Sequence, residues 1–565
     1  MIQKISFQNY KAFEKGEIKF KPITLLLGAN SVGKSSIIQL LSMLQQTAQS
    51  NKYKSCLKLH GEYVSLGENE NIFRNRNTKT DLIIGFEFSD DVLKDLLKDK
   101  LLKELIYKLY QPIRFFELRL DNYYKKKTSN NSNYDKKSIE IKSVEINNGI
   151  FESKKSFLDL MNQVESINNY FYKERKASDK AFFTSIKKTS PFPYKDTKKS
   201  LEKIYDFLTV TRNKITSNNF EIEFKIKHIK SNGEGVLKLS NVSLKQNDEV
   251  ILNFEFSING TQTEYDNINI SSGYLADQFI DNETKKEILE GIEYNSTLFS
   301  WIPQLNNKDL SFNICDSENF LIAQIVTEII SQAITHIKSE FSREFVNHVS
   351  PLRAHPKRYY FLDKANINTV LDSLDGNSLT EILKENKIIK DKVNNWLTDF
   401  GLRVDVNTLQ DVIHKLKVKQ NGLELDIIDV GFGISQILPI IVQGFLSFSQ
   451  SLTMIEQPEI HLHPKMQADL ADLFIDIVKP VDKTIKSLLI ETHSEYLLKR
   501  LRRRISSGVI SNEHIHIYYI EPQENGKGAV LRNIEISEKG AFDWPKDFYT
   551  GDLADDINIY IENQL

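Results

Sequence analysis

Several things are scarce in this chain, and each scarcity excludes something. Only Cys56 and Cys315 occur among 565 residues, which argues against a disulfide framework and against a thiolate zinc site. No apolar run approaches the ~20 residues needed to cross a bilayer, so no membrane span is expected. Formal net charge is −2. The molecule as a whole is therefore not a basic nucleic-acid binder, and any such contact needs a local patch. No heptad pattern persists, which argues against a long coiled-coil arm, and no internal repeat is visible. The opening "MIQKISFQNYKAF" lacks the basic start and apolar block of a signal peptide and alternates like a strand. A cytoplasmic location is the expectation.

What is present divides the chain into three zones. A length of 565 residues with 40% hydrophobic content predicts more than one domain, or one domain carrying a large insertion. Residues 1–86 read as short strands around one helix, "SSIIQLLSMLQQTAQ". Residues 87–345 are less regular. They hold a helix, "DDVLKDLLKDKLLKELIYKLY", a lysine- and asparagine-rich loop over 121–137, and alternating segments expected to pair as antiparallel strands through Asn-Gly turns. Residues 346–565 return to regular periodicity. "SLTMI" and "KSLLIET" read as buried strands, and "SEYLLKRLRRRI" as a helix capped by serine.

The strongest motif is "GANSVGKS", Gly28 to Ser35. It fits the phosphate-loop pattern and has the required context, an apolar strand before it and a helix after it. The glycines let backbone N–H groups close around phosphates. Lys34 reaches the terminal phosphates and Ser35 holds Mg²⁺. The expected ligands are ATP and Mg²⁺.

"TMIEQPEIHLHP", 453–464, admits two readings from its residues alone. His461 and His463 with Glu459 could supply three metal ligands. Alternatively, the segment is the acidic end of the nucleotide site. Upstream, "DVGFGISQILPII" is a Gly-rich turn into an apolar helix. Gly431 and Gly433 could merely form a tight turn there. Downstream, "ETHSEYL" ends a strand, and His493 alone reads as an ordinary structural histidine. The basic run Lys499, Arg500, Arg502, Arg503 and Arg504 is either a solvated helix face or a phosphate contact detectable as salt-sensitive DNA binding.

Taken in order, these segments resemble the ABC-class ATPase heads of the SMC, RecF and OLD groups. "DVGFGISQILPI", "IEQPEIHLHP", "ETHSEYLLKRLRRRI", "SPLRAHPKRYY" and the late "WPKDF" are most similar to a prokaryotic branch near the PtuA-type ATPases of Septu defence. The resemblance covers residues 1–75 and 346–565 better than the middle. It implies an α/β fold: an ABC-type P-loop head with a mixed sheet and an antiparallel β lobe, carrying a large inserted α+β or helical region. It places Lys11 beside the nucleotide phosphates and assigns Gly28, Asn30, Gly33, Lys34, Ser35 and Ser36 to the phosphate loop. Glu456 becomes the metal-side acid with Ser35, and His493 the switch histidine. Gly431, Gly433, Ser435 and Gln436 become the signature turn that reads ATP bound by a second subunit, which implies a homodimer or larger assembly. Gln457 stands where such heads usually carry a catalytic glutamate, leaving Glu459 as the alternative base.

The function this implies is slow ATP hydrolysis by a sensor subunit of an anti-phage defence complex. The nuclease would be a separate chain, of HNH type, with DNA or RNA as further partners. Asp552, Asp555 and Asp556 read as an exposed acidic tail and not as a built-in nuclease centre. A DNA-repair or chromosome-maintenance ATPase is the alternative, and an ATP-binding scaffold without significant hydrolysis the second. Lys34→Ala should weaken ATP binding by about 2 kcal/mol, roughly 30-fold, as for lost hydrogen bonds to a charged group. Titration with a fluorescent ATP analogue measures it, and unchanged affinity would remove the phosphate-loop reading.

Overall fold

The computed structural model describes residues 2–51, 53–110, 154–173, 198–231, 234–258, 265–276, 279–293, 296–305, 318–342, 344–362, 371, 376–420, 422–479, 485–523 and 528–543. The loop over 121–137, Cys315, "WPKDF" and Asp552, Asp555 and Asp556 lie outside them. In chain order the elements begin with β1 (Ile2–Tyr10), β2 (Phe13–Lys19), β3 (Ile23–Gly28), α1 (Lys34–Ala48) and β4 (Leu82–Ser89). The middle holds α2 (Lys154–Lys173), α3 (Lys198–Lys214), β5 (Asn219–Ser231), β6 (Glu234–Gln246), β7 (Glu249–Ile258), β8 (Tyr265–Ser271), α4 (Asn282–Glu290) and α5 (Glu318–Glu340). Next come β9 (Val346–Val349), β10 (Tyr360–Phe361), α6 (Gly376–Glu385), α7 (Lys387–Thr398), β11 (Leu402–Gln410), β12 (Ile413–Gln420), β13 (Leu423–Asp426) and α8 (Phe432–Leu446). The chain closes with β14 (Leu452–Glu456), α9 (Pro464–Val478), β15 (Ser487–Glu491), α10 (Glu495–Ser506), β16 (Ile515–Pro522) and β17 (Ala529–Ile534).

Two compact units result. The first comprises Met1–Phe88, Lys225–Lys238 and Ile337–Leu565, and the second Ser89–Phe224 and Leu239–His336. The sequence pattern did not reveal that 225–238 belongs with the first unit. The reason is local: Cys56 N–H donates to the Leu237 carbonyl (2.8 Å), Leu237 N–H to Ser55 Oγ (3.2 Å), and Asn69 to the Gly235 carbonyl (2.5 Å).

The first unit is a mixed α/β structure. Its parallel strands run in the order β16-β3-β15-β14-β9. Antiparallel β4-β1-β2 continues the sheet through β17. All six β3 residues are buried, as expected of a central parallel strand covered on both faces. Ile23, Leu25 and Leu27 alternate onto one face and join a core with Ile455, Ile490, Ile437, Leu470 and Leu498. A small antiparallel sheet, β10-β12-β11 with β13 on β12, lies in the same unit. α6 and α7 are separated at Asn386, which leaves the helical region and caps α7 by accepting from Ile389 N–H.

In the second unit a helical stretch over 91–110 begins at Asp90, whose carboxylate accepts from Val92 and Leu93 N–H. Strands β6, β7 and β8 pair antiparallel, as their alternation predicts. The turn between β6 and β7 is Asn247-Asp248, both at positive φ, the requirement of a type I′ hairpin. The Asn-Gly pairs at 232–233 and 259–260 lie outside the described residues. The membrane expectation needs one correction. Asn319–Glu340 is long and apolar enough to cross a bilayer by length and composition, yet 67% of its apolar window is buried, as in a core helix.

Asn394 fixes α7 to β11: its amide donates to the Val404 carbonyl (3.1 Å) and its oxygen accepts from Val404 N–H (2.7 Å). Asn394→Ala strands both buried backbone groups and should cost about 2–4 kcal/mol, read as a lower urea midpoint. An unchanged midpoint would mean that water replaces the amide.

Candidate functional site

The parallel register brings distant residues to one edge of the sheet. Glu491 pairs with Leu26 on β3 and with Glu456 on β14. Gly28 ends β3, opposite Ile520. Gly28 has φ +146, and a Cβ there would lie 2.4 Å from the Ile520 carbonyl oxygen, so no other residue fits this entry to the loop.

The loop is closed around its own lysine. Lys34 Nζ donates to the carbonyls of Gly28 (3.1 Å) and Ala29 (2.6 Å). Burial lowers its pKa, opposed by the charges of Glu491 and Glu459. Gly33, at the N-cap of α1, is left-handed. No side chain caps this helix and no acid lies in its first turn. Its first N–H groups and its dipole therefore face an anion site. Asn30 is exposed, as is Ser35, and Ser36 is half-buried. The Ser36 carbonyl accepts from Tyr10 Oη (3.1 Å). Lys11, at positive φ, bonds through Nζ to Gln39 on α1, beside the helix that carries the phosphate loop.

The acidic edge differs in detail from the sequence expectation. Glu456 bonds to His348 Nε2 on the neighbouring β9 (2.7 Å). The acid that touches the phosphate-loop hydroxyl is Glu491: Ser35 Oγ donates to its Oε2 (3.2 Å). Burial and the charge of Glu456 raise the Glu491 pKa, against Lys34. Gln457 has φ +43, a conformation that costs a non-glycine residue about 1 kcal/mol. Two bonds hold it there. Its N–H donates to the Glu491 carbonyl (2.8 Å), and its own carbonyl accepts from Arg353 (3.3 Å). Arg353 is 5% exposed and also donates to the Glu456 carbonyl (2.7 Å). Burial lowers its pKa to about 10, against Glu459 and Glu456.

Glu459 faces the switch segment. Oε2 accepts from Thr492 Oγ1 (2.8 Å) and Oε1 from His493 N–H (2.6 Å). The His493 residue is exposed between buried Thr492 and Ser494. Burial lowers its pKa, and the Lys34 charge lowers it further, so the imidazole is neutral at pH 7. His463 Nδ1 accepts from Lys465 N–H and caps α9 (3.3 Å), while His461 is exposed. Among the described residues no group of three or more His, Cys, Asp or Glu is placed to hold a metal, and His463 and Glu459 are instead bonded to Lys465 and to the Thr492–His493 segment.

The Gly-rich turn begins a second uncapped helix. Gly431 caps α8 without a side-chain bond and without an acid in the first turn. A Cβ on Gly433 would lie 2.9 Å from the His461 carbonyl oxygen, so the turn packs against the loop that follows Gln457. Ser435 and Gln436 are buried. Of the basic run, Arg500 and Arg504 pair with Asp472, Arg500 also with Asp469, and Lys499 with Glu495. Arg502 donates to the Gly540 carbonyl. The run is therefore mostly engaged within the protein.

Sequence reasoning missed His348, Arg353 and Glu491. Only Glu491 left a signal, an acid ending a fully apolar strand run.

These features define a P-loop nucleotide-binding protein. The profile of the AAA ATPase domain family (AAA_15) matches residues 1–498, and the chain belongs to that family of ATPases. No curated protein matches the sequence. Among solved structures, the SMC head domain from Thermotoga maritima aligns at 6% identity and TM-score 0.32, covering 95% of this chain and 99% of that one. The Pyrococcus furiosus Smc head domain with an extended coiled coil, bound to the C-terminal domain of ScpA, aligns at 8% and 0.33, covering 100% and 99%. At those values neither bears on the function of this chain. The residues present suit the nucleotide and Mg²⁺ that such an ATPase uses: an uncapped helix end for phosphate, and hydroxyl and carboxylate oxygens for a hard cation.

Glu459→Ala should release the Thr492–His493 segment. Loss of a charge-assisted bond predicts about 10- to 100-fold faster exchange of the His493 amide, measured by hydrogen–deuterium exchange. Unchanged protection would show that the segment is held from elsewhere.

Proposed function

We propose that this ATPase binds ATP and Mg²⁺ at Gly28–Ser36, pairs with a second copy through the Gly431–Gln436 turn, and hydrolyses slowly. ATP then acts chiefly as a clamp and a state signal. The observation that carries the reading is Gln457. It ends the acidic strand in a left-handed conformation, where a general base is expected, and a glutamine cannot accept a proton at neutral pH. It can orient water, as glutamine does in some GTPases. Glu459 is the nearest alternative base, and its carboxylate would have to leave Thr492 and His493 to act. His493, exposed and neutral, is the side chain suited to meet the γ-phosphate. The two uncapped helix ends, at α1 and α8, support one site for the phosphates and one for the nucleotide of the opposite copy.

The sensor role in prokaryotic anti-phage defence, with a separate nuclease and residues 87–345 as its docking region, rests on the resemblance of the motif segments. Co-purification from the native host tests it. A nuclease partner supports the defence role, and ATP-modulated DNA binding without a partner supports the repair reading. The internal pairing of Arg500 and Arg504 makes direct DNA contact through α10 the weaker expectation.

Gln457→Glu should raise turnover about 100-fold, the low end of the range for a placed general base, in a phosphate-release assay. Lys34→Ala should abolish turnover. Rapid wild-type turnover that Glu459→Gln leaves untouched would overturn the assignment of Glu459. Light scattering should show a larger species with a non-hydrolysable ATP analogue, and an unchanged monomer mass would overturn the clamp.

A further inference from the structure

We infer that Glu491 is a ligand for the divalent cation, filling beside Ser35 the carboxylate role for which Glu456 was expected. This rests on the nucleotide-binding reading above and deepens it.

Three observations converge. Glu491 is the terminal residue of β15, the strand lying between the phosphate-loop strand β3 and the acidic strand β14. Its backbone is thus fixed on both sides, by Leu26 and by Glu456. The residue is 3% exposed, and its carboxylate is bonded to the hydroxyl of Ser35. That hydroxyl is the cation ligand of the phosphate-loop motif. Glu456 is oriented differently, toward His348 on the far side of β14. Of the two acids at this edge, Glu491 is the one already in contact with the known ligand position.

The chemistry suits the position. Mg²⁺ keeps several waters and takes one or two carboxylates plus phosphate oxygens. A hydroxyl and a carboxylate oxygen 3.2 Å apart are close to the separation of adjacent ligands around an ion with bonds near 2.1 Å. A buried acid facing Lys34 also has reason to be retained: without a cation, the strand end would hold two carboxylates side by side. Glu491 and Ser35 would together offer a bound cation a carboxylate and a hydroxyl oxygen beside the phosphate loop.

The full chain tests this with Mn²⁺ and ADP, following free Mn²⁺ by electron paramagnetic resonance and metal-free ADP by calorimetry. Glu491→Gln should weaken Mn²⁺ binding in the ADP complex at least about 10-fold, the lower end for losing a group around a metal. Its affinity for ADP without metal should not fall below wild type, since the change removes a negative charge beside the phosphates. Glu491→Cys should lose Mn²⁺ in the same way but keep binding with thiophilic Cd²⁺. That metal switch separates ligation from a loss of folding, which would lose both. Wild-type Mn²⁺ affinity in Glu491→Gln, with Glu456→Gln alone defective, would overturn the inference. So would a Glu491→Cys protein that folds and discriminates no differently between the two metals. Failure of the wild-type chain to bind ADP at all would instead overturn the nucleotide-binding reading.

Discussion

Everything at this site depends on the parallel pairing of β3, β15 and β14. Each strand contributes one terminal group, and the register sets which group meets which: Gly28 opens the loop, Glu491 reaches Ser35, and Glu456 reaches His348. Parallel strands require long crossovers, and here the crossovers contain most of the protein. A shift of one residue in β15 would carry Glu491 to the opposite face and replace it with an isoleucine or a threonine. The buried apolar faces of β3 and β15, packed on α8, α9 and α10, are what prevent that slip.

A second theme is backbone held in costly shapes by side chains from elsewhere. Gln457 and His461 both lie at positive φ within one short loop. Arg353 and Glu491 grip the first of them, and Gly433 leaves just enough room beside the carbonyl of the second. Strain of this kind persists only where surroundings over-determine it. The loop after the acidic strand is therefore coupled to three places at once: the arginine after β9, the turn before α8, and the Thr492–His493 segment through Glu459. A change at the nucleotide would be felt at the turn that is proposed to face another subunit.

The parts of this arrangement legible in the sequence are the ones encoded locally. Gly28–Ser35 declares itself by spacing and context, β3 and β14 by apolar runs, α10 by its serine cap, and the α/β class by the order of elements. What could not be read were facts of register. That Glu491 meets Ser35, that His348 takes Glu456, and that Arg353 braces Gln457 are contacts across 456, 108 and 104 residues of chain. No periodicity reports such distances. The assignment of 225–238 to the first unit was hidden for the same reason, since its strand segments look like their neighbours in the middle zone. For the basic run the sequence left a solvated face and a phosphate contact open, because the pairing of Arg500 and Arg504 with carboxylates on α9 is again a matter of tertiary contact.

The order of the strands also governs how the protein comes into being. β3 leaves the ribosome early, near residue 23, with its buried sequence ITLLLG already complete. Its two neighbours are β15 and β16, and β16 ends at Pro522. At 5–20 residues per second, that strand waits on the order of 25–100 s for both partners. For that interval an apolar, two-edged strand is present without the sheet that will hide it. The second unit has a head start, since all its residues are synthesised by His336. The sheet that carries the phosphate loop is thus completed only after most of the chain has been made.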